Sequence, residues 1–199
     1  MQKKTKKKFR ILTTLVAMSL SFALMCFGIF AATNVKYTAS NTLTFNAADV
    51  ATTVSGYYEL NGGTNNQLTF PGGADNDGSF TMDYYHGSSY TGEVTLPNFD
   101  FAKVTDIYRL HITVKNDFAS GSGLNLTSTL TTTVTDDTNS YIKVEYDVVG
   151  SETRTISPDG TTQYVVAIFI DPDKQSDTTL LSNGFNNITF AFELTITRA

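Results

Sequence analysis

Few residues of this 199-residue chain could do covalent chemistry. There are two histidines, His86 and His111, and one cysteine, Cys26. A hydrolytic triad needs a nucleophile held by a base and an orienting acid, and neither histidine is accompanied by a nucleophile elbow or a Ser/His/Asp constellation. A zinc site needs His and Cys at close spacing, which two isolated histidines do not supply. His86 precedes a Gly-Ser-Ser turn, and His111 falls between Arg109 and Thr113 on the polar face of an alternating stretch. The expectation is therefore a protein that is not an enzyme.

The acidic residues offer a second chemistry. In PGGADNDG, Asp75 and Asp77 precede Gly78, which resembles part of a calcium loop in which alternate carboxylates converge and glycine permits the sharp turn. A full loop of the EF-hand kind would need an oxygen ligand where Gly73 stands and a Glu further on, and it has neither. Asp171, Asp173 and Asp177 in DPDKQSD form a second acidic turn, and Asp136 and Asp137 a third. Asp also favours turns without any ion, because its carboxylate bonds backbone amides nearby. Asp75, Asp77, Asp171 and Asp173 thus read either as calcium ligands or as turn formers, and no other cofactor is expected. Tyr57, Tyr58, Tyr84, Tyr85 and Tyr90, with His86, could stack on sugar rings, but the chain has no Trp. Aromatic packing between neighbouring strands competes with that reading.

The elements that must position these groups read as strands. In NNITFAFELTITRA, Ile188, Phe190, Phe192, Leu194 and Ile196 alternate with polar or small residues, a period of two with one face for a core. DIYRLHITVK alternates through Tyr108, Leu110, Ile112 and Val114, YIKVEYDVV through Ile142, Val144, Tyr146 and Val148, and LNLTSTLTTTV through Leu124, Leu126, Leu130 and Val134. YVVAIFI, from Tyr164 to Ile170, is apolar throughout and predicts a central strand buried on both faces. Shorter candidates are NVKYTA, TLTFNA, the run from Val50 to Leu60, SFTMDYY and EVTL. The stretch FDFAKVTDI could make one helical turn; no helical periodicity is evident after residue 32. Residues 61–78 predict a long loop inside the domain. Together these features predict an all-β fold, an antiparallel β-sandwich of jelly-roll or Ig-like type.

The first ten residues carry six cations, and Ile11 to Ala32 carry no charge, the pattern of an export signal. The apolar run has 22 residues, long enough to span a bilayer, so it reads as a signal peptide or as a retained signal-anchor helix. Ala31 is the small residue that fits cleavage, giving an N-terminal segment 1–31 and a single β-sandwich domain 32–199. A lipid on Cys26 is disfavoured by bulky Met25 before it, so Cys26 reads as one more apolar residue of the run. Contact with the membrane is expected only through residues 11–32, and contact with a signal peptidase during export.

Without the six leading cations the remainder carries a formal charge of −11, from 19 acidic and 8 basic residues. Such a surface repels phosphate backbones, so nucleic acid is not an expected partner. The chain's end at Thr197-Arg198-Ala199 shows no wall-sorting motif, so no covalent wall linkage is expected.

The lysine-rich start, the long apolar run ending in Gly28-Ile29-Phe30-Ala31-Ala32, the Thr-rich strand pair NVKYTASNTLTFNA and the strand IYRLHITVKND together resemble the TasA/camelysin type of exported protein of Gram-positive bacteria, whose signals are removed by a SipW-like peptidase. The Ala-Tyr-Phe-Thr usual after such signals is replaced here by Ala32-Thr33-Asn34. The resemblance implies a jelly-roll-like sandwich secreted to the cell surface or extracellular biofilm matrix, where such proteins often assemble into fibres. Camelysin has been described as a metalloprotease; no HExxH or other zinc spacing is present, so that activity is not carried over. The function expected is that of a cell-surface or matrix structural protein, with itself or related surface proteins as partners, or alternatively a carbohydrate- or surface-binding adhesin. For assembly, the segment Val35, Lys36, Tyr37 and Thr38 is expected either to pair with a neighbouring subunit or to fold back on its own sandwich.

Overall fold

The computed structural model describes residues 37–70, 79–82, 87, 89–146 and 153–199, all within one compact unit, residues 36–199. Alternating side chains drive what forms there. Along β7 (Ile107–Asn116) Tyr108, Leu110, Ile112 and Val114 are buried, and along β12 (Phe185–Arg198) Ile188, Phe190, Phe192, Leu194 and Ile196 are, as a period of two requires. The remaining strands among the described residues are β1 (Tyr37–Ala48), β2 (Thr52–Leu60), β3 (Asn66–Gln67), β4 (Ser79–Met82), β5 (Ser89–Thr95), β6 (Phe99–Asp100), β8 (Leu126–Thr135), β9 (Ile142–Tyr146), β10 (Thr153–Ile156) and β11 (Thr161–Ile170).

They make two sheets. The first has the order β10-β8-β12-β1-β5, with β6 also beside β1; the second has the order β3-β2-β7-β11-β9, with β4 also beside β2. Their apolar faces meet in the core, so the fold is the all-β sandwich that the alternation predicts. Polar groups tie the layers at chosen points. The Tyr164 hydroxyl of β11 meets Ser128 of β8 at 2.7 Å, and Arg154 of β10 lies 4.6 Å over the Tyr164 ring and donates to the Gln163 carbonyl at 2.6 Å. Tyr108 of β7 donates to the Asp100 carbonyl of β6 at 3.0 Å and accepts from the Asp100 amide at 3.1 Å.

Several details depart from the sequence reading. The stretches NVKYTA and TLTFNA are not separate strands; Tyr37 to Ala48 run as one, with a register shift between Tyr37 and Ala39. That strand pairs antiparallel with β5 and β6 but parallel with β12, from Tyr37↔Phe185 to Ala48↔Thr197, so the sandwich is antiparallel except at this pair among those described. YVVAIFI is central, between β7 and β9, but buried on one face only. Tyr164, Val166, Ile168 and Ile170 point into the core, whereas Val165, Ala167 and Phe169 are half-buried on the outer face. The aliphatic stems of flanking long polar side chains can give that face partial cover, which an apolar count cannot distinguish from a core. A six-residue helix, α1 (Thr178–Asn183), stands where no helix is expected; Asp177 caps it by accepting from the amides of Thr179 and Leu180, and Gly184 ends it at φ 62°. FDFAKVTDI forms β6 and turns instead of a helical turn. Loop 61–78 contains β3 and buries Leu68 and Phe70.

Gly56, in the middle of β2, has a steric cause: a Cβ there would stand 2.6 Å from the His111 carbonyl oxygen. The outer face of the first sheet is a field of hydroxyls. Thr127, Thr129, Thr131, Thr133 and Thr135 of β8 stand beside Thr197, Thr195, Glu193, Ala191 and Thr189 of β12, and those beside Ala48, Asn46, Thr44, Thr42 and Ser40 of β1. Oγ–Oγ contacts of 3.0 Å join Ser40 to Thr189 and Thr129 to Thr153. Threonine suits a solvated pleated surface, because its β-branch is stiff and its hydroxyl stays wet.

Candidate functional site

The register of β12 against β8 builds a cleft. Thr189 stands opposite Thr135, so the start of β12 lies beside the loop that follows β8. That loop turns at Asp136 in the left-handed region, φ 63°, and is tied by Asp137, whose two carboxylate oxygens each accept an amide, from Tyr141 and Ile142, both at 2.8 Å. Between the loop and the end of α1 lies a cleft of about 230 Å³ lined by Asp136, Asp137, Thr138, Asn139, Tyr141, Gly184, Phe185, Asn187 and Ile188. Tyr141 is only 5% exposed. Burial pushes its phenol above the usual value, and the charges of Asp177 and Asp137 add to the effect. The Phe185 ring continues into the core through an edge contact with Tyr37, centroids 5.7 Å apart.

The expected calcium ligands divide. Asp75 and Asp77 lie outside the described residues. Asp171 and Asp173 do share one turn, but its carboxylate work is internal. Asp171 accepts from the Asp173 amide at 2.9 Å, so capping the short 3₁₀ turn Pro172–Lys174, and pairs with Lys143 of β9 at 3.1 Å. Among the described residues no three His, Cys, Asp or Glu side chains are grouped to hold a metal ion. The Asp173 amide, and behind it Lys143, hold the Asp171 carboxyl below its usual value. A depressed carboxylate contributes stability above its unfolded pKa, and that stability is lost as pH falls through the folded value. Asp171→Asn is therefore expected to lower the melting temperature at pH 7, with the gap from the parent closing as pH falls below about 4. A gap that stays constant from neutral to acid pH would remove the carboxylate charge from the explanation.

His111 lies against Tyr57, directly opposite it on β2, with stacked rings 4.3 Å apart, and its Nε2 is 3.6 Å from a Glu59 carboxylate oxygen. Arg109 reaches the same carboxylate at 3.8 Å. Phe80 and Tyr90 also pack together, at 4.7 Å. Tyr57 and Tyr90 thus serve aromatic packing; Tyr84, Tyr85 and His86 lie outside the described residues.

Of the assembly segment, Tyr37 and Thr38 are in the chain's own first sheet, opposite Phe185 and Asp100 respectively. Val35 and Lys36 lie outside the described residues, as do Ala31 and the apolar run 11–32. Among the described residues no helix is long and apolar enough to cross a membrane.

Sequence reasoning marked Asp136 and Asp137 as an acidic turn but gave Asn139, Tyr141, Phe185 and Asn187 no place in one cleft. Those residues belong to two segments far apart in the chain, and only the β8–β12 register joins them.

No family model matches the chain, and no curated protein matches it. Among solved structures it is similar to a point mutant of the major pilin from Streptococcus pyogenes, at 11% identity over 82% of this chain and 99% of that one. The TM-score of 0.12 is too low for that likeness to carry any argument.

Proposed function

We propose that this chain is a non-catalytic structural protein, exported to the cell surface or matrix like the TasA/camelysin type it resembles, whose subunits join by exchanging β1. The observation that supports the reading is the place of β1. It is the first described strand after the apolar run, yet it sits in the middle of the first sheet, bonded to β12 on one side and to β5 and β6 on the other. The chain passes from it to β2 of the second sheet through residues 49–51, where Asp49 turns at φ 53°. Its absence would open a slot between β12 and β5, lined by the partners of Ala39, Leu43 and Ala47, which are 0%, 0% and 2% exposed. An identical strand from a second copy fills such a slot with the same hydrogen bonds and the same apolar area. Exchange in one direction leaves each copy with one strand to give and one slot to fill, which extends into a filament.

The test is removal of residues 34–39 from the full chain, followed by light scattering and electron microscopy of both forms. The shortened chain is expected to lose filament formation, because Tyr37 and Ala39 anchor the entering end of β1. Identical filaments from both forms would exclude β1 as the joining strand. An adhesin is the second reading, favoured by the cleft between the β8–β9 loop and α1. Glycan screening separates the two: binding without assembly favours the adhesin.

A further inference from the structure

We propose that the peptide bond between Asp171 and Pro172 is a self-cleavage site, cut in mildly acid solution by the carboxylate of Asp171 itself. The chain has four prolines, and only Pro172 follows an aspartate. The proline nitrogen carries no hydrogen and is the more basic kind of amide nitrogen, so once protonated it is the better leaving group. The fold sets two further parts around this bond. The first is a held nucleophile. Asp171 directly follows β11, and its amide donates to the Tyr141 carbonyl at 2.8 Å, which pins the residue beside β9. Its Oδ1 accepts from the Asp173 amide at 2.9 Å and meets Lys143 Nζ at 3.1 Å. Its Oδ2 has no hydrogen bond among the described residues, and the side chain is only 14% exposed, so water competes weakly for the free oxygen.

The second part is a polarised carbonyl. The Asp171 carbonyl oxygen accepts from the Lys174 amide at 2.8 Å, a donor placed where negative charge develops when the carbon is attacked. The Asp173 amide and Lys143, with Lys174 adding to them, favour the ionised carboxylate, so the nucleophile persists into acid where the leaving nitrogen gains its proton. The acids nearby are Glu145 and Asp173 around Lys143, and Asp137 and Asp177 around Tyr141. In the step itself, Oδ2 adds to the Asp171 carbonyl carbon and closes a cyclic anhydride. The bond from that carbon to the Pro172 nitrogen breaks, and the nitrogen leaves as a secondary amine with a proton from solvent. Water then opens the anhydride and leaves Asp171 with a free C-terminal carboxylate. The net change is hydrolysis of one peptide bond, with nothing oxidised or reduced. The cut separates residues 172–199 from the rest, so that β12 is held between β8 and β1 by hydrogen bonds and packing alone. It needs no second copy and is independent of β1 exchange.

The experiment incubates the full chain in detergent at about pH 4–5, once folded and once in urea, and follows it by intact mass and N-terminal sequencing. Cleavage between Asp171 and Pro172 is expected, with the two product masses adding to that of the parent plus one water. It should run at least about tenfold faster in the folded chain, because only the fold supplies the fixed carboxylate and the Lys174 amide. Asp171→Asn removes the nucleophile and should abolish the cut. Pro172→Ala keeps the nucleophile but worsens the leaving group, and should slow the cut by about tenfold or more. Circular dichroism checks that each variant is folded; where Asp171→Asn is not, Pro172→Ala decides alone. Equal rates folded and in urea would reduce the bond to an ordinary acid-labile one and overturn the proposal. So would an uncut folded chain, a cut that persists in folded Asp171→Asn, or an unslowed cut in Pro172→Ala.

Discussion

Asn116→Ala is expected to destabilise the fold by about 3–6 kcal/mol, one of the two largest losses from any single substitution considered. Asn116 ends β7, is fully buried, and satisfies three backbone groups at once. Its Nδ2 donates to the carbonyls of Leu124 at 3.0 Å and Ile156 at 2.9 Å, and its Oδ1 accepts from the Phe118 amide at 3.0 Å. One side chain thereby holds the β7–β8 loop against the end of β10. Alanine leaves all three groups without that partner, at roughly 1–3 kcal/mol each before relaxation. For a domain of this size each kcal/mol moves the melting temperature by about 2–4 °C, so a drop on the order of 10 °C or more is expected. Asn116→Asp should fare no better, because a carboxylate cannot donate to the two carbonyls. A loss below about 1 kcal/mol would mean that water replaces the side chain at this junction.

Phe190→Ala is expected to cost about 3–5 kcal/mol by a different route, the loss of packed apolar volume. Phe190 lies on β12 with no exposure, its ring 6.0 Å from that of Phe99 and 6.3 Å from that of Phe192. Both neighbours are themselves anchored, Phe99 by stacking on Tyr108 at 4.4 Å, so the cavity cannot close easily. Urea unfolding should show a lower midpoint with an unchanged slope. Phe190→Leu should recover most of the loss, since it restores much of the volume. If Phe190→Leu were as damaging as Phe190→Ala, ring geometry and not volume would set the cost.

What could be read from the sequence follows from which interactions are local. The alternation in β7 and β12 is complete within each strand, so both faces were legible and the sandwich with them. The pairing of β1 with β12 joins the two ends of the domain, and nothing in NVKYTASNTLTFNA records that its neighbour runs parallel. YVVAIFI misled because an apolar run reports composition and not what covers it; Val165, Ala167 and Phe169 face outward from a central strand. Helix α1 was missed because six residues are too few to show a period, though Asp177 before it and Gly184 after it were the available signals. The cleft was half legible, in Asp136 and Asp137; Asn139 and Tyr141 looked like ordinary loop and strand residues until the register placed Asn187 beside them.

The exchange of β1 is tested most directly by trapping its partner. Thr42 of β1 and Ala191 of β12 are paired in register on the outer face, and parallel neighbours at this spacing fall within disulfide reach. The chain's one cysteine, Cys26, is replaced by serine, and Thr42→Cys and Ala191→Cys are introduced. Isotopically labelled and unlabelled chains are mixed, allowed to assemble, oxidised and digested. Exchange predicts that the disulfide-linked peptides join labelled to unlabelled chains in the assembled material, and only like to like in the monomer. Linkage confined to single chains in filaments as well as monomers would show that β1 never leaves its own sandwich, and would contradict the account.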